Sequence, residues 1–113
     1  GNGKFHRKYF ALLKLGFEYW ETDDREHKGR AVAKNFERFR KDVAIMAGHY
    51  DPVWNLAGEM RLEARSISFA NMDDAEFETL YEATIQILIN KVLAAKGFTR
   101  AEVDRAVESL IRF

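Results

Sequence analysis

Six apolar residues near the start of the chain, Phe5, Tyr9, Leu12, Leu13, Phe17 and Trp20, recur at steps of three to four. A helix turns once every 3.6 residues, so this spacing gathers them on one stripe and predicts an amphipathic helix over residues 4–21. Arg7, Lys8 and Lys14 fall largely off the stripe. Gly16 lies inside the pattern, where it costs about 1 kcal/mol relative to Ala or else admits a close neighbour.

The same period returns three times. A second helix is expected from Ala31 or Ala33 to Ala47, with Val32, Phe36, Phe39, Val43 and Met46 inward and Gly48 as its stop. A third opens at Asp73, where Asp73 and Glu76 resemble a capping box, and carries Phe77, Leu80, Tyr81, Thr84, Ile85, Leu88, Val92 and Leu93 on its stripe as far as Gly97. The run IQILINKVL is apolar on more than one face and predicts a central position. Thr99 and Glu102 open a fourth helix whose inward residues are Val103, Ala106, Val107, Leu110 and Ile111. The short turn between the last two suggests an antiparallel pair.

Between helices two and three the period changes. The only proline, Pro52, and the turn-like NLAG at 55–58 are flanked by partly alternating residues 50–54 and 60–68, which read as a β-hairpin. A lone hairpin is marginal in water, so it needs the helices or further strands against it. Residues 22–30, TDDREHKGR, read as a polar loop or frayed helix end. The fold class is mainly α (α+β): about four helices with one β-hairpin between helices two and three, in a single domain over residues 1–113.

A chain of 113 residues, 47% hydrophobic, can build a core without staples. Its two Trp, four Tyr and nine Phe are a large apolar load, and some rings are expected at a partner surface. Cysteine is absent, which excludes disulfides, thiolate metal sites and cysteine nucleophiles. No apolar run reaches the eighteen or so residues of a membrane span, and Lys14 and Glu18 interrupt the first helix where a signal peptide would be apolar. A cytoplasmic location is expected. The formal net charge of zero hides a division: residues 1–48 hold eleven Lys or Arg against seven Asp or Glu, and residues 49–113 the reverse. Such asymmetry suits an anionic partner for the basic half, or attraction between the halves themselves.

Catalytic patterns are sparse. Ser66 and Ser68 lie in neither a G-x-S-x-G elbow nor an S-x-x-K pattern, and there is no phosphate-cradling glycine loop, so no cofactor is implied. His6, His27 and His49 have no second histidine at ligand spacing. His49, Asp51, Asp73 and Asp74 would serve a metal-dependent nuclease only if the fold brought them together; a turn histidine and helix-capping aspartates explain them equally.

The segment KFHRKYF, residues 4–10, interleaves cations with rings. Single-stranded nucleic acid is held by cations along the backbone and by rings that stack on bases. Lys4, Arg7 and Lys8 suit phosphates, with His6 assisting and Tyr9 or Phe10 stacking if exposed. Arg38, Arg40 and Lys41 extend the track if helices one and two lie side by side. Phe5 and Tyr9, however, also belong to the apolar stripe.

Three ordered blocks, KFHRKYFALLKLGFEYWE, FRKDVAIMAGHYD and SISFANMDDAEFETLYEATI, resemble a small phage and prophage family catalogued as a domain of unknown function. The resemblance covers residues 4 to about 90 and implies a β-rich segment ahead of the first block, with Gly1 to Gly3 as a cut end. The K-x-H-R-K-Y-F-A-L-L pattern is also similar to the leading helix of Orf-type recombination mediators of lambdoid phages. That second resemblance implies a dimeric, non-enzymatic binder of single-stranded DNA in recombination or replication, and it points to Lys4, His6, Arg7 and Lys8. The competing expectation is a protein-binding module, an inhibitor or adaptor of a host complex.

Overall fold

The computed structural model describes residues 2–112, with the side chains of residues 3–112; Gly1, the first residue of the expected cut end, lies outside them. Four helices carry the core: α1 (Asn2–Tyr19), α2 (Phe36–Met46), α3 (Asp74–Leu88) and α4 (Arg100–Ile111). Two antiparallel hairpins accompany them, β1 (Glu26–His27) with β2 (Arg30–Ala31), and β3 (Tyr50–Trp54) with β4 (Met60–Ala64).

The first of these hairpins replaces the loop expected over residues 22–30. Lys28 and Gly29 both take positive φ, at 51° and 81°, the conformation that lets a two-residue turn follow the twist of its strands. Helix α2 consequently starts later than its pattern suggested. Asn35 caps it, its side-chain oxygen accepting from the Arg38 N–H at 2.9 Å, and Val32 is left outside, 53% exposed rather than inward. Met46, expected inside, is 51% exposed because the chain leaves the helix there. Gly48, at φ 87°, makes the departure possible: its N–H bonds to the Ile45 carbonyl and that of His49 to the Ala44 carbonyl.

One buried cluster joins all four helices, with Tyr9, Leu12 and Leu13 from α1, Phe39 and Val43 from α2, Ile85 and Leu88 from α3, and Val103 and Val107 from α4. Gly16 lets α1 approach its neighbours closely: a Cβ there would lie 2.9 Å from a Leu88 methyl and 3.4 Å from the Phe39 ring. Asp73 caps α3 by accepting from the Glu76 N–H, and Thr99 and Glu102 form a complete capping box on α4. The apolar run at the end of α3 does not stay a regular α-helix. It opens into a π-turn over Ile89–Leu93 and a 3₁₀ turn over Ala94–Lys96, with Val92 and Leu93 still in the core. Helix α4 then packs principally along α1 rather than pairing with α3.

The radius of gyration, 15.7 Å, exceeds the roughly 13 Å of a compact chain this long. Residues 21–33 are exposed throughout, as is most of the second hairpin. Among the described residues, no helix is long and apolar enough to cross a membrane.

Candidate nucleic-acid interface

Lys4, Arg7 and Lys14 are exposed on α1, and helical spacing aligns them in one row with the buried Ala11 between the last two. Ala11 lines a groove together with Leu110 and Ile111 of α4, and Arg7 and Lys14 lie one turn before and one turn after it. It is an open groove of about 650 Å³ between the first half of α1 and the last residues of α4. Its polar lining is His6, Arg7, Lys14 and Arg112, and its apolar floor is Phe10, Ala11, Leu110 and Ile111. Among the described residues, no acidic side chain lines it. Among the described residues, Lys4, Arg7, Lys14 and Arg112 have no carboxylate within 4.0 Å, whereas every other arginine outside residues 25–30 and Arg105 is ion-paired.

His6 extends the groove with a flat surface. Its ring stacks on Phe10, centroids 4.4 Å apart and planes 16° from parallel, and meets Phe69 edge-on at 5.6 Å. Two rings are thereby held beside three permanent cations.

The other residues singled out in the sequence go elsewhere. Lys8 turns toward α3, its ammonium 4.6 Å from the centre of the Tyr81 ring, where it also helps to hold the Glu82 carboxyl below its ordinary range. The larger influence on Glu82 is Arg100, which donates to both its oxygens at 2.9 and 2.7 Å. Tyr9 is 1% exposed; its hydroxyl lies 3.1 Å from Thr84 Oγ1, and burial raises its pKa. Its ring cannot stack on a base. Arg38 pairs with Asp42 at 3.4 Å and Arg40 with Glu37 at 2.8 Å. Lys41 and Arg40 border a second groove that also holds Asp51 and Glu63, so the charge there is mixed. Both α2 arginines are thus paired with acids of their own helix, and the second hairpin adds Asp51 and Glu63 to the surface beside Arg40 and Lys41.

The groove has two cations that sequence reasoning left out of the site. Lys14 was accessible as the third member of the Lys4, Arg7, Lys14 row. Arg112 gave no local signal, since only folding brings the end of the chain back to its beginning.

The metal-site residues do not converge. Asp51 is tied to Arg65 at 3.3 Å, and the Asp73 carboxylate accepts from the Glu76 N–H at 2.8 Å. Among the described residues, no group of three His, Asp or Glu side chains is placed to hold a metal ion.

Neither the curated proteins nor the solved structures include a significant match to the chain. A family comparison does match, over residues 1–24 and 22–113, which together span its whole length. The chain belongs to the family described as "Protein of unknown function (DUF1367)".

Proposed function

We propose that this protein is a non-catalytic binder of single-stranded nucleic acid, and that the α1–α4 groove is where the strand lies. The observation that carries this reading is the charge of the groove: Arg7, Lys14 and Arg112, with His6, line it with no acid among the described residues. Cations placed along a groove track phosphates, and a π-face beside them accepts a base without regard to its identity. The His6–Phe10 stack is that face, and Lys4 continues the cationic row beyond the groove. The neutral overall charge argues for a local contact and against general attraction to polyanions. Fluorescence anisotropy of a labelled oligonucleotide tests the proposal: binding at low salt, lost in an Arg7→Ala, Arg112→Ala variant that still folds, is the expected result. Wild-type protein that leaves the oligonucleotide free at low salt removes the proposal.

A second reading, a protein-binding module, has its own support. The β3–β4 hairpin exposes Trp54 (78%), Leu56, Met60 and Leu62, a concentration of apolar surface unusual for a free monomer. None of these residues lines the cationic groove, so the two readings are separable by mutation.

A further inference from the structure

The second hairpin sorts its side chains by face. In its register, Tyr50 pairs with Ala64, Pro52 with Leu62 and Trp54 with Met60, which puts six apolar residues on one side. Asp51, Val53, Arg61 and Glu63 occupy the other, continued by Glu59 and Arg65. Arg40 and Lys41 of α2 share a groove with Asp51, Glu63 and Arg65, so the polar side looks toward α2.

The two edges of this sheet are unequal. The Asn55 N–H bonds to the Glu59 carbonyl at 2.9 Å and the Arg65 N–H to the His49 carbonyl at 3.0 Å. Alternation in an antiparallel ladder then makes Asp51/Glu63 and Val53/Arg61 the hydrogen-bonded pairs between them. The backbone groups of Pro52 consequently face outward from β3, and proline has no N–H to offer an added strand. The backbone groups of Met60, Leu62 and Ala64 face outward from β4. Among the described residues they meet no other strand, and the Met60 carbonyl accepts only from the Arg61 guanidinium at 3.0 Å.

We propose that this β4 edge pairs with the same edge of a second copy, antiparallel about a two-fold axis at Leu62. The charge sequence Glu59, Arg61, Glu63, Arg65 selects that register. With Leu62 on the axis, Arg61 lies opposite the partner's Glu63 and Glu59 opposite the partner's Arg65, and symmetry repeats each pair. Moving the axis one residue either way sets Arg against Arg and Glu against Glu. Arg61 and Glu59 are more than half exposed and reachable by a partner, as are Arg65 and Asp51. The charged pairs fall at the non-hydrogen-bonded positions, where side chains approach most closely. Leu62 meets its own counterpart and Met60 the partner's Ala64 on the apolar side. Trp54 and Leu56, on the outer strand and the turn, stay outside the seam.

Sedimentation velocity from micromolar to high-micromolar protein reads the result. The wild-type chain should form a dimer. Arg61→Glu should raise its dissociation constant at least about tenfold, because two attractive pairs become repulsive. Glu63→Arg should do the same, and the double variant Arg61→Glu, Glu63→Arg should restore the dimer, since the pattern is again self-complementary. Circular dichroism confirms that each variant folds. A wild-type chain that remains monomeric overturns the proposal. So does a dimer lost in Trp54→Ala but indifferent to the charge reversals, which would mean the copies meet through their faces.

Discussion

The buried contact between Tyr9 and Thr84 makes a sharp thermodynamic prediction, because its two hydroxyls have unequal alternatives. Thr84 Oγ1 lies 2.8 Å from the Leu80 carbonyl and spends its single proton there, so the Tyr9 hydroxyl must be the donor across the 3.1 Å contact to Thr84. Thr84→Val preserves shape but strands the Tyr9 hydroxyl in the core, at a cost of about 1–3 kcal/mol. Tyr9→Phe removes a donor and leaves Thr84 still bonded to Leu80, costing about 0.5–1.5 kcal/mol. The double variant strands neither group and should be more stable than Thr84→Val alone. Urea unfolding with linear extrapolation measures all four proteins. A Tyr9→Phe variant less stable than Thr84→Val, or strict additivity in the double variant, would refute this assignment of donor and acceptor.

Tyr81 presents the opposite case, a buried hydroxyl with no hydrogen-bond partner among the described residues. Tyr81→Phe should be neutral or stabilising by up to about 1 kcal/mol in the same assay. Burial raises the Tyr81 pKa well above that of a free phenol. The phenol's contribution is therefore complete below the ordinary tyrosine pKa of about 10 and is lost as pH rises through the folded value, so the Phe variant should lose less stability in alkali. Gly16→Val should destabilise by about 2 kcal/mol or more, since its side chain would overlap Leu88, and Leu88→Ala in the same chain should recover part of the loss. Arg100 holds the Glu82 carboxyl below its ordinary pKa, so that pairing stabilises above the normal Glu range and weakens as pH falls through the lowered value. Glu82→Gln should flatten the acid limb of a stability–pH curve.

Much of the helical core was legible because its signals are local. The three-to-four-residue stripe of α1, the Thr99–Glu102 box and the Asp73 cap each depend on residues within a turn or two of one another. What escaped reading depends on contacts distant in sequence or on backbone conformation. The small first hairpin rests on positive φ at Lys28 and Gly29, in a segment whose polar composition reads equally as loop. The π-turn after Leu88 leaves no trace in an apolar run that suits any helical geometry. In the candidate site, the spacing of Lys4, Arg7 and Lys14 could be read directly. The pairing of Arg40 with Glu37 also lies at helical spacing, whereas the diversion of Lys8 onto Tyr81 and the arrival of Arg112 do not. A helical wheel assigns a face; it does not say which neighbour occupies it.

The most direct measurement is the salt dependence of binding between the full chain and a labelled single-stranded oligonucleotide. Three or four phosphate-contacting cations give a slope of log K against log salt of about −2 to −3. Replacing Arg7 and Arg112 together by Ala should reduce its steepness by about 1.4, with the fold intact by circular dichroism. An affinity insensitive to salt, or a slope unchanged in the double variant, would contradict the placement of the strand in this groove.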